Sequence, residues 1–316
     1  MEIEDKTKIN SHFGVQGYFI TVFLFFLYAN AVSLYGLKFA AGAAISWLTG
    51  ASLWCLRILF QSGDDPEGVD KPFCWYLFLM FPLFVPLALP LWLIPTILVI
   101  SYLISVVSFG GQGKHIFNPV IVAVVFMLYG YGNNGLTEPS RPFPSSTNGY
   151  IIWTSGIPPR SDIRDIYSSI PANLAFTASI KGSIPSIPGS CYSVIILIAS
   201  LLFAIFFKRC RIWWFVAFLS IILFAYFLPQ PKGFNIPITN ICFLGIIPSL
   251  LLCGVADSTT LPKSVIGQVI SAVIFAAFAV LMIYNLSDVL APAYAFLLSQ
   301  VFSPLIIDII GEKNEQ

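Results

Sequence analysis

The chain has 316 residues, of which 57% are hydrophobic and only 10% charged, with a mean hydropathy of +0.85. Soluble domains carry about 25% charged residues, so an ordinary water-facing exterior is excluded and most of the surface must meet lipid. A net charge of +1 gives no pull toward nucleic acid or an acidic partner.

A helix needs about 20 apolar residues to cross about 30 Å of hydrocarbon. Ten runs meet that need: Gly17–Gly36, Ala40–Phe60, Phe73–Leu89, Leu91–Phe109, Ile116–Tyr131, Cys191–Phe207, Ile212–Leu228, Thr239–Ala256, Ser264–Tyr284 and Val289–Ile310. They are continuous and not alternating, which excludes a β-barrel. The predicted fold is an all-α polytopic membrane protein. The first run is too long for a signal peptide, lacks a small-x-small cleavage site and is followed at once by another span, so it is read as retained.

The third run carries Pro82 and Pro86, with Pro90 just beyond it, and Pro248 and Pro262 bracket the end of the eighth. Proline inside a helix removes a hydrogen bond and kinks or breaks it. Broken backbone at membrane depth is tolerated only where protein or a cavity surrounds it. These two runs hold the same place in each set of five, the arrangement that marks a midplane site in repeat-built carriers.

Between the fourth and fifth runs lies Gly110-Gly111-Gln112-Gly113-Lys114-His115-Ile116-Phe117-Asn118-Pro119. Its glycines let backbone approach a ligand closely, and Asn118-Pro119 can cap and start the next helix. A helix start fed by such a loop is a ready anion site; a tight turn is the plain alternative. No strand precedes it and no Gly-Lys-Ser/Thr follows, which excludes a Walker loop or a dinucleotide fingerprint.

The segment 132–190 is rich in Pro, Ser, Gly and Asn and divides the chain into 1–131, the loop itself, and 191–316. A loop of that length is functional or a tether. Within it, Asp165-Ile166-Tyr167-Ser168-Ser169-Ile170-Pro171 reads as a polar turn. After the eighth run comes Ala256-Asp257-Ser258-Thr259-Thr260-Leu261-Pro262-Lys263. A carboxylate with three hydroxyls at the end of an apolar helix needs water, a cation or a polar ligand, unless the hydroxyls simply cap the next helix.

Lys208, Arg209 and Arg211 between the sixth and seventh runs place that loop in the cytoplasm by the positive-inside rule. Alternation then puts both termini inside, with Arg57, Lys71, Lys114 and Lys263, and the 132–190 segment outside. The six cysteines (Cys55, Cys74, Cys191, Cys210, Cys242, Cys253) form no CxxC pair and have no histidine nearby, which argues against a zinc or all-protein iron–sulfur site. A cluster shared with a partner would need only one or two of them. His12 and His115 are the only histidines, and no catalytic grouping stands out.

Four passages together resemble the family that contains the D subunit of the Rnf electron-transport complex and the B subunit of the sodium-translocating NADH:quinone reductase. They are Pro86-Leu87-Ala88-Leu89-Pro90-Leu91-Trp92; Gly110 through Pro119, similar to GGxGxNxFNP; Ala256-Asp257 through Pro262 with Gly267; and Ala295-Phe296 through Pro304-Leu305-Ile306-Ile307-Asp308. The resemblance implies two inverted five-helix halves, urea-channel-like, in the inner (cytoplasmic) membrane. It implies a subunit of an ion-translocating redox complex that binds flavin (FMN or riboflavin) and relays electrons among flavoprotein and membrane partner subunits. Gly110, Gly111, Gly113 and Asn118 would bind a polar or phosphate portion of a ligand. Asp257, Thr259 and Thr260 would line an ion or flavin site through symmetry with that loop.

The family's covalent FMN sits on a threonine of an outside-loop SGAT motif. Here Ser168 and Ser169 lie upstream and Pro171 stands where the acceptor threonine belongs, which speaks against covalent attachment. The Asn of the glycine element is likewise replaced, by Lys114 or His115. Loss of the threonine keeps open a permease of the same fold for a small solute such as riboflavin, or a cofactor-free scaffold.

Overall fold

Hydrocarbon offers backbone N–H and C=O groups no water, so apolar runs satisfy them internally as helices. A computed structural model describes residues 2–61, 75–111, 114–132, 139–143, 149–156, 171–230, 237–243, 246–285 and 289–310. Twelve α-helices occupy them: α1 Glu2–Tyr35, α2 Leu37–Gln61, α3 Trp75–Met80, α4 Leu93–Ser105, α5 Pro119–Tyr131, α6 Ala172–Lys181, α7 Ser193–Phe206, α8 Arg211–Phe227, α9 Ile238–Cys242, α10 Ile246–Ala256, α11 Val265–Asn285 and α12 Pro292–Ile310. Among the described residues there is no strand; a single antiparallel bridge pairs Ser140 with Ser186.

Among the described residues, five segments are long and apolar enough to span a bilayer: Gly17–Tyr35, Leu37–Leu59, Lys208–Phe227, Val265–Asn285 and Pro292–Ile310. Five shorter apolar helices fall on the other five runs. Phe206, Phe227 and Ile309 are each about three-quarters exposed, an outer surface suited to acyl chains. The protein is an all-α polytopic membrane protein.

The helices pair in a recurring pattern. In the first five, α1 packs on α2 and α3, α2 on α3 and α4, and α5 on α3 and α4. Among the later ones α7 packs on α8 and α10, α8 on α10 and α11, and α12 on α10 and α11. The two sets meet where α5 packs on α12 and α1 on α10. Trp213 of α8 stacks on Phe275 of α11 at 5.7 Å and meets Phe296 of α12 edge-on at 5.6 Å. Gly254 lets α10 reach this cluster, since a Cβ there would lie 2.5 Å from the Trp213 ring.

The sequence predicted the third run as one span through Leu89, but α3 stops at Met80. A 3₁₀ turn follows at Phe81–Phe84, and the chain then runs extended or in turns to Trp92. Pro82 has no N–H for the Phe78 carbonyl. The Ser46 hydroxyl supplies the missing donor at 2.6 Å, while the Tyr28 hydroxyl serves Leu79 and the Ser190 hydroxyl serves Leu83. The eighth run is also divided, into α9 and α10. Pro248 lies in the first turn of α10, where proline is tolerated, and the interruption precedes it.

The 132–190 segment is more than a proline-rich loop. Besides α6, its Phe143 N–H donates to the Leu34 carbonyl and its Ile152 carbonyl accepts from Leu37 N–H, fastening it across the α1–α2 turn. Its Pro188–Ser190 turn packs on Phe81–Phe84. A Cβ at Gly189 would stand 2.3 Å from the Pro82 carbonyl oxygen, so only glycine permits that approach.

Candidate functional site

The glycine stretch closes the 3₁₀ turn Val107–Phe109 that follows α4. Gly110 and Gly111 adopt φ of +88° and +105°, the left-handed region where glycine avoids the Cβ penalty. Their N–H groups return to the Val107 and Val106 carbonyls at 3.1 and 2.9 Å, as at a helix C-terminus. The start of α5 is equally closed. The Asn118 carboxamide oxygen accepts from Val120 N–H at 2.9 Å and Ile121 N–H at 3.4 Å, and Asn118's own N–H donates to Gln300 Oε1 of α12 at 3.0 Å. Asn118 Nδ2 reaches the Cys253 carbonyl of α10 at 3.4 Å. These groups cap helices and join α5 to α10 and α12.

Three residues before Asn118 the stretch places a side chain that the sequence did not single out as a site. His115 is buried, with Nε2 3.1 Å from Asp257 Oδ2, 2.9 Å from the Tyr76 hydroxyl and 3.0 Å from the Thr259 hydroxyl. Asp257 follows the last residue of α10 and caps the Ser258–Thr260 turn. Its Oδ1 accepts from the Thr259 hydroxyl at 2.5 Å and from Thr259 N–H at 3.3 Å. The side chains of His115 and Asp257 are 0% and 1% exposed, so an ionisable pair lies wholly inside the bundle.

Thr260 turns away from the pair, its hydroxyl donating to the Asp257 carbonyl at 3.2 Å. Gln268 of α11 holds the turn from beyond, donating to the Pro262 carbonyl at 3.2 Å and the Arg209 carbonyl at 2.9 Å. Of the residues the sequence proposed, the structure brings Asp257 and Thr259 together at His115 and joins Asn118 to the Cys253 carbonyl of α10, while Gly110 and Gly111 bond back to Val107 and Val106. Gly113, Ser168 and Ser169 lie outside the described residues. His115 and Tyr76 were missed because no local motif holds them; the one signal was His115 in a family position expected to carry Asn.

The arrangement holds an imidazole, a carboxylate, a phenol and an alcohol in continuous hydrogen-bond contact, a set able to hold and pass a proton. Among the described residues no group of three or more His, Cys, Asp or Glu could hold a metal ion. Gly110, Gly111 and the α5 terminus do not fit a flavin phosphate, because their N–H donors are already bonded within the chain. Thr177, the threonine nearest after Pro171, donates its hydroxyl to the Leu174 carbonyl at 3.0 Å on the exposed helix α6.

Apolar spans, interrupted helices and a buried ionisable pair joining the start of α5 to the end of α10 define an integral membrane protein with a polar interior site. The chain belongs to the NQR2, RnfD, RnfE family, whose model matches residues 3–315. No curated protein matches it significantly.

Proposed function

We propose that the chain is a membrane subunit of an ion-translocating redox complex of the Rnf or sodium-pumping-reductase type. It works beside flavoprotein and other membrane subunits and relays electrons through a flavin, FMN or riboflavin. Family membership over nearly the whole chain supports this. The observation that carries it is the meeting of two family passages, the glycine stretch and the Asp257 turn, at one buried ionisable pair. Intramembrane ionisable residues facing a bundle interior usually mark ion or proton paths.

The recurring helix pairing supports two structural repeats, 1–131 and 191–316, of inverted topology around the 132–190 segment. Lys114, Arg209 and Lys263 flank the paired loops, which favours a cytoplasmic position for this end and for both termini in a cytoplasmic membrane. The flavin on this reading is not covalently attached, given Pro171, and lies outside the Gly110–Asn118 loop. Isolation from native membranes tests the reading: redox subunits should co-purify and acid should release a flavin. Loss of the acceptor threonine favours a permease as second reading; accumulation of labelled riboflavin in vesicles holding this chain alone would establish it and end the electron-relay proposal.

A further inference from the structure

We propose that His115 and Asp257 form a proton-exchange site with Thr259 as its point of entry, and that the ion taken up at this gate is a proton. The coupling role rests on the functional reading above; the site itself does not.

Three observations carry the inference. First, the carboxylate has no free side: Oδ1 is taken by Thr259 through both N–H and hydroxyl, and Oδ2 faces His115 Nε2 at 3.1 Å. A metal cation would require several oxygen ligands, whereas the imidazole stands where such a cation would approach. Second, the acceptor is a single nitrogen, His115 Nε2, within hydrogen-bond reach of Asp257, Tyr76 and Thr259. On uptake, Nε2 binds a proton and the resulting N–H donates to Oδ2; on release the same proton leaves and the neutral ring can accept from the Tyr76 hydroxyl. Third, the site is buried yet one residue from the surface. Lys114 is exposed and His115 is not, while Thr259 is half-buried and touches both His115 and Asp257. Its hydroxyl can accept a proton from outside as it hands one inward.

Among the described residues, the other titratable groups around the pair are Tyr76, Cys253, Cys210 and Arg209. Tyr76 reaches it from α3. The Cys253 thiol of α10 and the Cys210 thiol lie within electrostatic reach of Asp257, with Arg209 acting on Cys210. Gln300 of α12 and Gln268 of α11, which grip the two loops, are uncharged. Imidazole is the group among these whose ordinary titration spans the neutral range.

The full chain, in lipid nanodiscs with ring-¹⁵N histidine, gives two histidine signals, His12 and His115, assigned with His115→Asn. From about pH 5 to pH 8 the His115 ring should titrate. Asp257→Asn should shift that titration, exchange of sodium for potassium at fixed ionic strength should leave it in place, and Thr259→Val should slow proton exchange at the ring. A ring held in one protonation state throughout, or a titration displaced by sodium, overturns the proposal; the wild-type measurement decides this even where a variant does not fold. Ion flux measured with partner subunits in vesicles tests the complex separately. Absence of flux with an intact titration sinks the functional reading and leaves the site.

Discussion

The two helix sets are broken at the same place and filled differently. After α3 the interruption is closed by neutral groups. Ser46, Tyr28 and Ser190 hydroxyls take the freed carbonyls, and Ser190 also meets Ser249 at 2.9 Å. The small cleft beside it, about 10 Å³ and lined by Lys38, Phe39, Pro82, Pro86 and Leu89 among others, has room for about one water. After α10 the corresponding break presents Asp257 to His115 instead. Neutral donors suffice at the first break; at the second the Asp257 side chain both caps the Thr259 N–H and sets an ionisable carboxylate against His115. That difference separates a structural bend from a chemical site.

The comparison can be broken most forcefully at Asp257. Asp257→Ala should destabilise the folded chain by about 3–5 kcal/mol, the loss seen when one member of a buried pair is removed. Asp257→Asn, which keeps the cap on Thr259, should recover most of that; thermal unfolding in detergent followed by tryptophan fluorescence measures both. A small effect of Asp257→Ala would show that the pair is not closed in the folded protein.

At the neutral break, Gly189→Ala should cost about 1–3 kcal/mol by forcing a Cβ into the Pro82–Leu83 backbone, read by the same unfolding measurement. Ser46→Ala should cost about 1–3 kcal/mol, since it strands the Phe78 carbonyl that Pro82 cannot serve. Ser46→Thr, if its extra methyl fits, should restore the bond and the stability. Smallest is Thr259→Val, expected within about 1 kcal/mol of wild type, because the Thr259 N–H still reaches Asp257. Its mark should be kinetic, in slowed proton exchange at His115. A Thr259→Val protein that unfolds as readily as Asp257→Ala would erase the distinction between holding the pair and giving access to it.

Pro82 announced the break after α3, whereas Pro248 sits inside the first turn of α10, and where each helix stops was set by the neighbours. Phe73–Leu89 reads as one apolar run because hydropathy is blind to a missing N–H; α3 can end at Met80 because Ser46, Tyr28 and Ser190, distant in sequence, take over its carbonyls. The helix α6 and the packing of Gly189 were hidden inside 132–190 by a composition that resembles a linker. The glycine stretch was visible, but the Gly110 and Gly111 N–H groups turned out to be bonded to the Val107 and Val106 carbonyls just beyond α4.

What the sequence by itself determined was the solvent, the run of apolar segments, the presence of prolines in the third and eighth of them and the family passages. Each follows from a property counted along the chain: apolar length, proline, glycine and motif order. Only the tertiary structure decided that His115 meets Asp257 across a sequence separation of 142, with Tyr76 and Thr259 completing the contact. Hydropathy and local motifs act over one or two helical turns, whereas the distance between two side chains on separate helices depends on how every helix between them packs.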